Sequence, residues 1–453
     1  MDRSWTEGLA QRVGGGRVVL DPDIIAAHAR DQAPLAEAGT ALALVRARSV
    51  EDVVHTLRYA HERRIPVVPR AAGTGLSGGA NAVDGGIVLS VAAMDQILEI
   101  DPAARLAVVE PGVINATLAA RAEQVGLYYA PDPSSRDIST IGGNIATNAG
   151  GACCFKYGVT GDHVLALRAI TADGSCIETG CRAPKNVAGL DLTRLLVGSE
   201  GTLAVIVEAT VRLLRQPPPA STLVAFFETM EQAAAAILGM EQAADLSLIE
   251  VMDRTTVAAV ESLTSMGLDT GSTMVLVQSD APRSVDMIEA CERVCAEASA
   301  KDVFATSDPH EGAMMLAARR AALPALEKLG TPLLDDVAVP RPALPAMFAR
   351  CEAAAARNDV VIGTFGHAGD GNLHPTILFD RHDPRSEAAA RRAFVEIVED
   401  ALALGGTVTG EHGVGTLKRP FLERMVGTTE AALMRRIKAA FDPHGILNPT
   451  KVL

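Results

Sequence analysis

The run Pro69 to Ala80, Pro-Arg-Ala-Ala-Gly-Thr-Gly-Leu-Ser-Gly-Gly-Ala, limits the folds open to this chain more than any other stretch. It follows the apolar residues Ile65-Pro66-Val67-Val68 and holds no acidic side chain. With no Cβ at Gly73, Gly75, Gly78 and Gly79, the backbone can reach positive φ and turn several N–H donors toward an anion, as a nest or a helix N-terminus does. The loop therefore reads as a phosphate cradle. Gly73 to Gly78 also spells G-x-G-x-x-G, but a Rossmann site needs a helix directly after the loop. Here Asn81, Asp84, Gly85 and Gly86 intervene, and Ile87-Val88-Leu89-Ser90-Val91 reads as another strand. No Gly-Lys-Ser/Thr follows, which excludes a P-loop.

A second glycine and asparagine block runs from Pro131-Asp132-Pro133-Ser134-Ser135 through Thr140-Ile141-Gly142-Gly143-Asn144 to Asn148-Ala149-Gly150-Gly151. Two such blocks suit the two ends of one long dinucleotide. A net charge of −14 argues against a nucleic-acid surface, which needs clustered Lys and Arg. Residues 1–20 hold charges and a Gly14-Gly15-Gly16 run rather than an apolar leader, and no stretch of about 18 apolar residues occurs. The expectation is a cytoplasmic protein, peripheral to a membrane only through a partner. None of the seven cysteines forms a Cys-x-x-Cys pair, so an iron–sulfur cluster on this chain is not expected. Cys153-Cys154, beside the second block, reads first as small buried residues and second as a redox thiol.

Along the chain, Ser49 predicts a helix start with Val50, Val53, Val54 and Leu57 on one stripe. Asp101-Pro102-Ala103-Ala104 and Ala172-Asp173-Gly174 predict hairpins, and Asn115 predicts a helix cap. Gln216-Pro217-Pro218-Pro219 reads as a stiff linker closing a first domain. Alternating strands and helices follow over 222–298 in two βαβ-like halves, which suggests a ferredoxin-like α+β layer. A helix from about Glu311, a strand over 334–339 and a helix from Pro342 come next.

The residues most able to do chemistry lie between 360 and 415. Asp370-Gly371 between two apolar runs is a hairpin signal, and with these as the central turn residues His367 pairs directly with His374. Their Cβ atoms would then lie about 5 Å apart, against roughly 23 Å along an extended chain. Two readings follow: ligands to one metal ion, or a structural pair bonded to water and carboxylates. Gly410-Glu411-His412-Gly413-Val414-Gly415 supplies a carboxylate beside a third histidine, or is a solvated loop. Arg319 sits between Met315, Leu316 and Ala322, Leu323 on an apolar stripe, where a charge needs a partner. That partner is either a buried acid or a substrate carboxylate held bidentately.

The stretches PRAAGTGLSGGA, APDPSS, TIGGNIATNAGG, KYGVTGDHV, VGSEGTL, GHAGDGNLHP, GEHGVG and AAFDPHGILNPTK occur in that order between Pro69 and Lys451. In this the chain resembles the vanillyl-alcohol-oxidase-type flavoproteins, and among them the D-2-hydroxy-acid dehydrogenases that include D-lactate dehydrogenases and the FAD subunit of bacterial glycolate oxidase. The resemblance implies an α+β protein with a two-part FAD-binding domain of the PCMH type over 1–215. It also implies a ferredoxin-like substrate domain over 216–410 and a segment 411–453 that returns to the FAD domain.

It implies FAD at Pro69, Arg70, Gly73, Thr74, Gly75, Leu76, Ser77 and Gly78, and at Pro131, Asp132, Ser135, Thr140, Gly142, Gly143, Asn144, Asn148, Gly150 and Gly151. Glu200, Gly201, Ile206 and Asn448 complete that set. The attachment is expected to be non-covalent, because Thr74 stands where relatives with a histidyl bond carry histidine. One divalent ion (zinc, manganese or iron) is implied on His367, His374 and Glu411. Arg319 would hold the substrate carboxylate, and His412 would take the hydroxyl proton. Leu323 and Leu334 replace the polar or basic groups of hydroxyglutarate-specific relatives, which points to a small monocarboxylate. Reduced flavin needs a separate acceptor, such as an iron–sulfur subunit, a quinone or another carrier, and a homodimer remains open. The rival readings are a metal-dependent hydrolase or lyase with a nucleotide-binding domain, and a non-catalytic nucleotide-binding subunit.

Overall fold

Ser49 starts the first long helix, its hydroxyl accepting the Asp52 N–H at 3.3 Å, and Arg64 ends it in the left-handed region at φ 54°. Between them Val50–Arg63 turns Val53, Leu57 and Ala60 inward onto Val45, Val67, Ile87 and Leu89. Each such fully buried Val, Leu or Ile side chain contributes about 1.5–3 kcal/mol. In the computed structural model, which describes residues 5–14 and 16–453, these strands form a four-stranded sheet. Its order is Val18–Val19, Ala43–Arg46, Ile87–Ser90, Val67–Arg70, and the last three are parallel. Both faces of Ile87–Ser90 are buried, which explains its unbroken apolar sequence. The first glycine loop leaves the carboxyl end of Val67–Arg70.

A second, antiparallel sheet of five strands runs in the order Ile97–Asp101, Leu106–Val109, Val205–Arg212, Val164–Ile170, Cys176–Gly180. The expected turns hold it. Asp101 Oδ1 accepts the N–H groups of Ala103 and Ala104 at 2.8 and 2.9 Å, and Asp173 Oδ1 accepts the Thr171 hydroxyl and the Ser175 N–H. Asn115 does not cap its helix: Asn115–Glu123 is preceded by Ile114, and the buried Asn115 amide donates to Pro131 O at 3.1 Å. An inward side chain cannot also reach the exposed first-turn N–H groups. After the helices Arg419–Val426 and Thr428–Phe441, the tail lies along the first sheet, with Val67 N donating to Ile446 O and Asn448 N to Val67 O, each at 2.8 Å.

By internal contacts the chain divides into two units: Met1–Gly150 with Gly158–Gln216 and Glu411–Leu453, and Gly151–Tyr157 with Pro217–Gly410. The second is built on one eight-stranded antiparallel sheet. Its order is Asp302–Thr306, Ser221–Phe227, Thr273–Ser279, Leu248–Met252, Val361–His367, Asn372–Phe379, Thr331–Leu334, with Val337–Ala338 also paired to Asn372–Phe379. In chain order its first four strands read 4-1-3-2, the ferredoxin arrangement. The fold thus mixes helix and sheet as the sequence suggests.

Two expectations change here. The strand expected over 334–339 breaks at Asp335–Asp336, because the Asp335 carboxylate accepts the Asp336 N–H at 2.8 Å and draws the chain out of the ladder. The helix expected from Pro342 begins with a 3₁₀ turn, Arg341–Ala343, before Leu344–Asn358.

Candidate functional site

In the first unit the glycine loop takes the conformation its composition allows, with φ of 75° at Gly73 and 80° at Gly78. A Cβ at Gly78 would lie 2.3 Å from Thr416 Oγ1, so only glycine lets the chain pass there. The loop itself lacks an acid, but Asp31 reaches it from outside. Burial raises its pKa, opposed by N–H groups of Ala33, Gly78 and Ala80 and by Arg70. Burial likewise lowers Arg70, opposed by Asp31, and brings Lys451 down to about 8.

In the second block Thr140 caps Ile141–Thr147 by accepting from Gly143 N, and Asn148 closes that helix at φ 54° while its side chain accepts from Gly161 N at 2.8 Å. Pro131 receives Asn115, Ser135 O accepts from Ile138 and Ser139, and Ile206 stands at a register shift in its strand. Asp132 lies in the irregular segment just before the turn that contains Ser135, Gly150 ends its segment of the first unit, and Gly151 opens the short segment that belongs to the second. Gly201 adopts φ 70° and a Cβ there would meet Pro69 at 3.1 Å.

The fit to a large polar cofactor rests on buried groups that find no protein partner. Arg70 Nη1, Asn144 Nδ2, Ser139 Oγ, Tyr129 OH and Asn448 Oδ1 are all buried without a hydrogen bond. Each orphaned buried polar atom costs roughly 1–3 kcal/mol unless a ligand satisfies it. Several of them belong to the two glycine blocks, so a bound dinucleotide would relieve that cost. Glu200 and Asn448 are engaged differently. Both Glu200 carboxylate oxygens accept backbone N–H groups, Val414 at 2.7 Å and Gly415 at 2.9 Å, and burial pushes the group up to about 7 against those bonds. Asn448 Nδ2 donates to Gly79 O and Glu200 O at 2.9 and 2.7 Å.

The second unit carries a compact polar cluster on one face of its sheet. The observed hairpin register pairs His367 with Asn372 and Phe365 with His374, not His367 with His374. Strands end at His367 and resume at Asn372, so the turn spans Ala368 to Gly371 and is two residues longer than the Asp-Gly signal implies. A slip of two keeps both histidines on one face, where a slip of one would have separated them. Their ring centroids lie 5.3 Å apart, and each side chain is about 5% exposed.

Glu250, on the neighbouring strand directly opposite His367, is 1% exposed. Its carboxylate lies 2.6 Å from His367 Nδ1 and 2.6 Å from Arg319 Nε. Burial would raise its pKa, yet Arg319 first, then His367 and His374, hold it below the usual carboxylate range. An Nδ1–carboxylate bond leaves Nε2 as the ligating nitrogen, the usual arrangement behind a metal-bound histidine. Arg319 therefore has the buried acid that one of its two readings required. Its guanidinium also lies 4.7 Å above the Phe365 ring, and Nη2 is buried with no hydrogen-bond partner.

Asp336, also fully buried, accepts Asn372 Nδ2 at 2.8 Å, Thr409 Oγ1 at 2.6 Å and Gly410 N at 2.9 Å, and lies 3.8 Å from His374 Nδ1. Glu411 is the next residue after Gly410 and opens the last segment of the first unit. In that unit Glu411 Oε1 and His412 Nε2 are 3.7 Å apart, and Ser77 Oγ donates to His412 O at 3.2 Å.

Sequence reasoning missed Glu250, Asp336 and Asn372. Glu250 did leave a signal: it is the one charged residue within Leu248–Met252, every position of which is buried. Among the described residues no helix is long and apolar enough to cross a membrane.

Residues 41–180 match a family described as the FAD binding domain, and residues 216–452 match FAD linked oxidases, C-terminal domain. The chain is 42% identical over 418 residues to the glycolate oxidase subunit GlcD of Bacillus subtilis, covering 90% of this chain and 88% of that protein. It is 34% identical over 424 residues to a D-lactate dehydrogenase of Anaerostipes hadrus, covering 90% and 89%. In fold it is similar to p-cresol methylhydroxylase, with a TM-score of 0.82 at 16% identity over 100% of this chain and 97% of the other. With both domains matched and relatives covering nine-tenths of its length, this chain belongs to the family of FAD-linked oxidases and carries that family's FAD-binding domain.

Proposed function

We propose that the chain oxidises a small D-2-hydroxy monocarboxylate, such as D-lactate or glycolate, to the 2-oxo acid. The observation that carries the reading is the Glu250–Arg319–His367–His374 face: a buried guanidinium with an unpartnered Nη2 beside two histidines, one of them oriented by a carboxylate. A carboxylate ligand satisfies Nη2 without displacing Glu250 from Nε, so Arg319 anchors the substrate. His367, His374 and Glu411 would hold one divalent ion, a donor set of two imidazoles and a carboxylate that suits zinc, manganese or iron. Such an ion supplies Lewis acidity toward the hydroxyl oxygen.

His412 takes the hydroxyl proton as general base while the C–O bond becomes C=O and the α-hydrogen departs with its electron pair. The two glycine blocks would hold FAD non-covalently, and the flavin would supply the hydride acceptor, with a separate carrier needed to take the electrons on. Leu323 and Leu334 offer no charge to a second carboxylate, which favours monocarboxylates. The D preference and the separate carrier rest on the likeness to D-lactate dehydrogenase and to GlcD, whose name marks it as a subunit.

The test is anaerobic: the purified yellow protein is mixed with D- and L-lactate, glycolate and D-2-hydroxyglutarate, and flavin bleaching is followed. Bleaching by the D-monocarboxylates supports the reading. A protein that binds FAD but is bleached by none of these acids overturns it.

A further inference from the structure

The backbone behind His412 is tied to the first glycine loop by two acceptors. Glu200 spans Val414 N and Gly415 N with its two oxygens, and Ser77 O accepts both Thr416 N and Leu417 N at 3.0 Å. Four consecutive N–H groups thus end on two residues. Ser77 adds its hydroxyl to His412 O, which fixes the chain on the other side of Gly413. Close approach makes this possible only with glycine: a Cβ at Gly415 would lie 2.1 Å from Ser77 O, and one at Gly413 would lie 2.9 Å from Glu200 Oε1. Glu200 is itself immobilised, sitting at φ 50° with its N–H given to Ala146 O at 2.8 Å and its C=O receiving Asn448. It is 7% exposed, so the clamp lies out of water, where hydrogen bonds to backbone N–H are stronger than in solvent.

We propose that Glu200 is a positioning residue: with Ser77 it locks the turn after Glu411–His412 to the cofactor loop, so that the proton acceptor and the cofactor cradle form one rigid piece. The side chain then serves His412 rather than touching the flavin. This rests on His412 being the proton acceptor. The physical warrant is that a displacement of about 1 Å in a reacting group costs on the order of 10²-fold in rate. Glu200 is the acceptor for both Val414 N and Gly415 N, so losing one of its oxygens frees the backbone just behind His412.

The experiment uses the FAD-loaded full chain carrying Glu200→Gln, which keeps shape but retains only one good acceptor oxygen. Amide hydrogen exchange over 413–417 should rise about 10–100-fold. FAD stoichiometry should be unchanged, and the limiting rate of flavin reduction should fall about 10–100-fold with KM altered less than about 2-fold. Unchanged exchange overturns the clamp. Faster exchange with an unchanged limiting rate per bound FAD shows a purely structural bond and overturns the positioning role.

If Glu200→Gln does not fold, Ser77→Ala takes its place. It leaves the Ser77 carbonyl bonds intact and removes only the hydroxyl bond to His412 O. It should lower the reduction rate per bound FAD by about 3–10-fold, and a wild-type rate per bound FAD overturns the proposal. Failure of the wild-type protein to be reduced by any 2-hydroxy acid would instead overturn the functional reading, and the exchange result would still stand by itself.

Discussion

Glu250→Gln is the most direct probe of the second unit, because one carboxylate holds both a cation and an imidazole. The side chain is 1% exposed and lies 2.6 Å from Arg319 Nε and 2.6 Å from His367 Nδ1. Arg319 is 6% exposed, so neutralising Glu250 leaves a guanidinium buried without its counter-charge. Breaking a buried pair in this way costs about 3–5 kcal/mol. At about 2–4 °C per kcal/mol for a unit of roughly 200 residues, the melting temperature should drop by about 6–20 °C. The same change removes the carboxylate behind His367 and should weaken metal affinity by about 10–100-fold. FAD stoichiometry should not change, since both glycine blocks belong to the first unit apart from Gly151.

Differential scanning calorimetry and metal titration on the same sample read out both effects. Adding Arg319→Met to Glu250→Gln should recover part of the lost stability, because a neutral Gln–Met pair leaves no buried charge uncompensated, while activity is not restored. A single variant that melts within about 2 °C of wild type, or a double variant no more stable than the single, would refute the argument that this pair is charged and buried at a cost.

Glu200 should make the cofactor-free protein less stable as pH rises. The unfolded chain releases this proton near pH 4.5 and the folded chain only near 7, so about 3 kcal/mol is lost across that window and none beyond it; Glu200→Gln should flatten calorimetric profiles between pH 4.5 and 7. His374→Ala should retain FAD while metal content and turnover fall together, and undiminished metal binding measured by elemental analysis would remove His374 from the ligand set. D-Lactate should reduce the flavin faster than D-2-hydroxyglutarate in stopped flow, with Leu323 and Leu334 as the reason, and the reverse order would point to a basic group such as Arg320 or Lys328. His412→Asn should keep FAD and bind the 2-oxo acid yet lose about 10²–10⁴-fold in flavin reduction across pH 6 to 10; a near wild-type rate would assign the proton to another acceptor.

The local devices of this fold were legible because they are written in adjacent residues. Ser49, Asp101 and Asp173 make the bonds their types and positions suggest, and Gly73 and Gly78 adopt positive φ. What the sequence hid was partnership over distance. Asp31 lies nearly forty residues before the glycine loop yet supplies the acid that the loop lacks. Asn115 looks like a cap and is instead a buried strut to Pro131, since nothing local says which way its amide turns. Glu250 is separated from His367 by 117 positions, and only the strand order that sets Leu248–Met252 beside Val361–His367 brings them together.

The histidine pair shows why a wrong register still left both rings on one face. The direct 367–374 pairing was off by two, and in a sheet an even error preserves the face while moving the partners to a diagonal. The extra length of the turn comes from Ala368 and Gly369, with Gly369 N bonded to Ile249 O at 3.1 Å, so the neighbouring strand decides where the hairpin closes. That same strand carries Glu250, so the contact that lengthens the turn belongs to the element that orients His367. Asp336 is the buried acid nearest the other histidine, at 3.8 Å rather than in a hydrogen bond. It stands near His374, holds Asn372 from the strand, and grips Thr409 and Gly410. Two buried acids, neither of them evident from motif spacing, therefore stand against the two histidines on one face of the second unit's sheet.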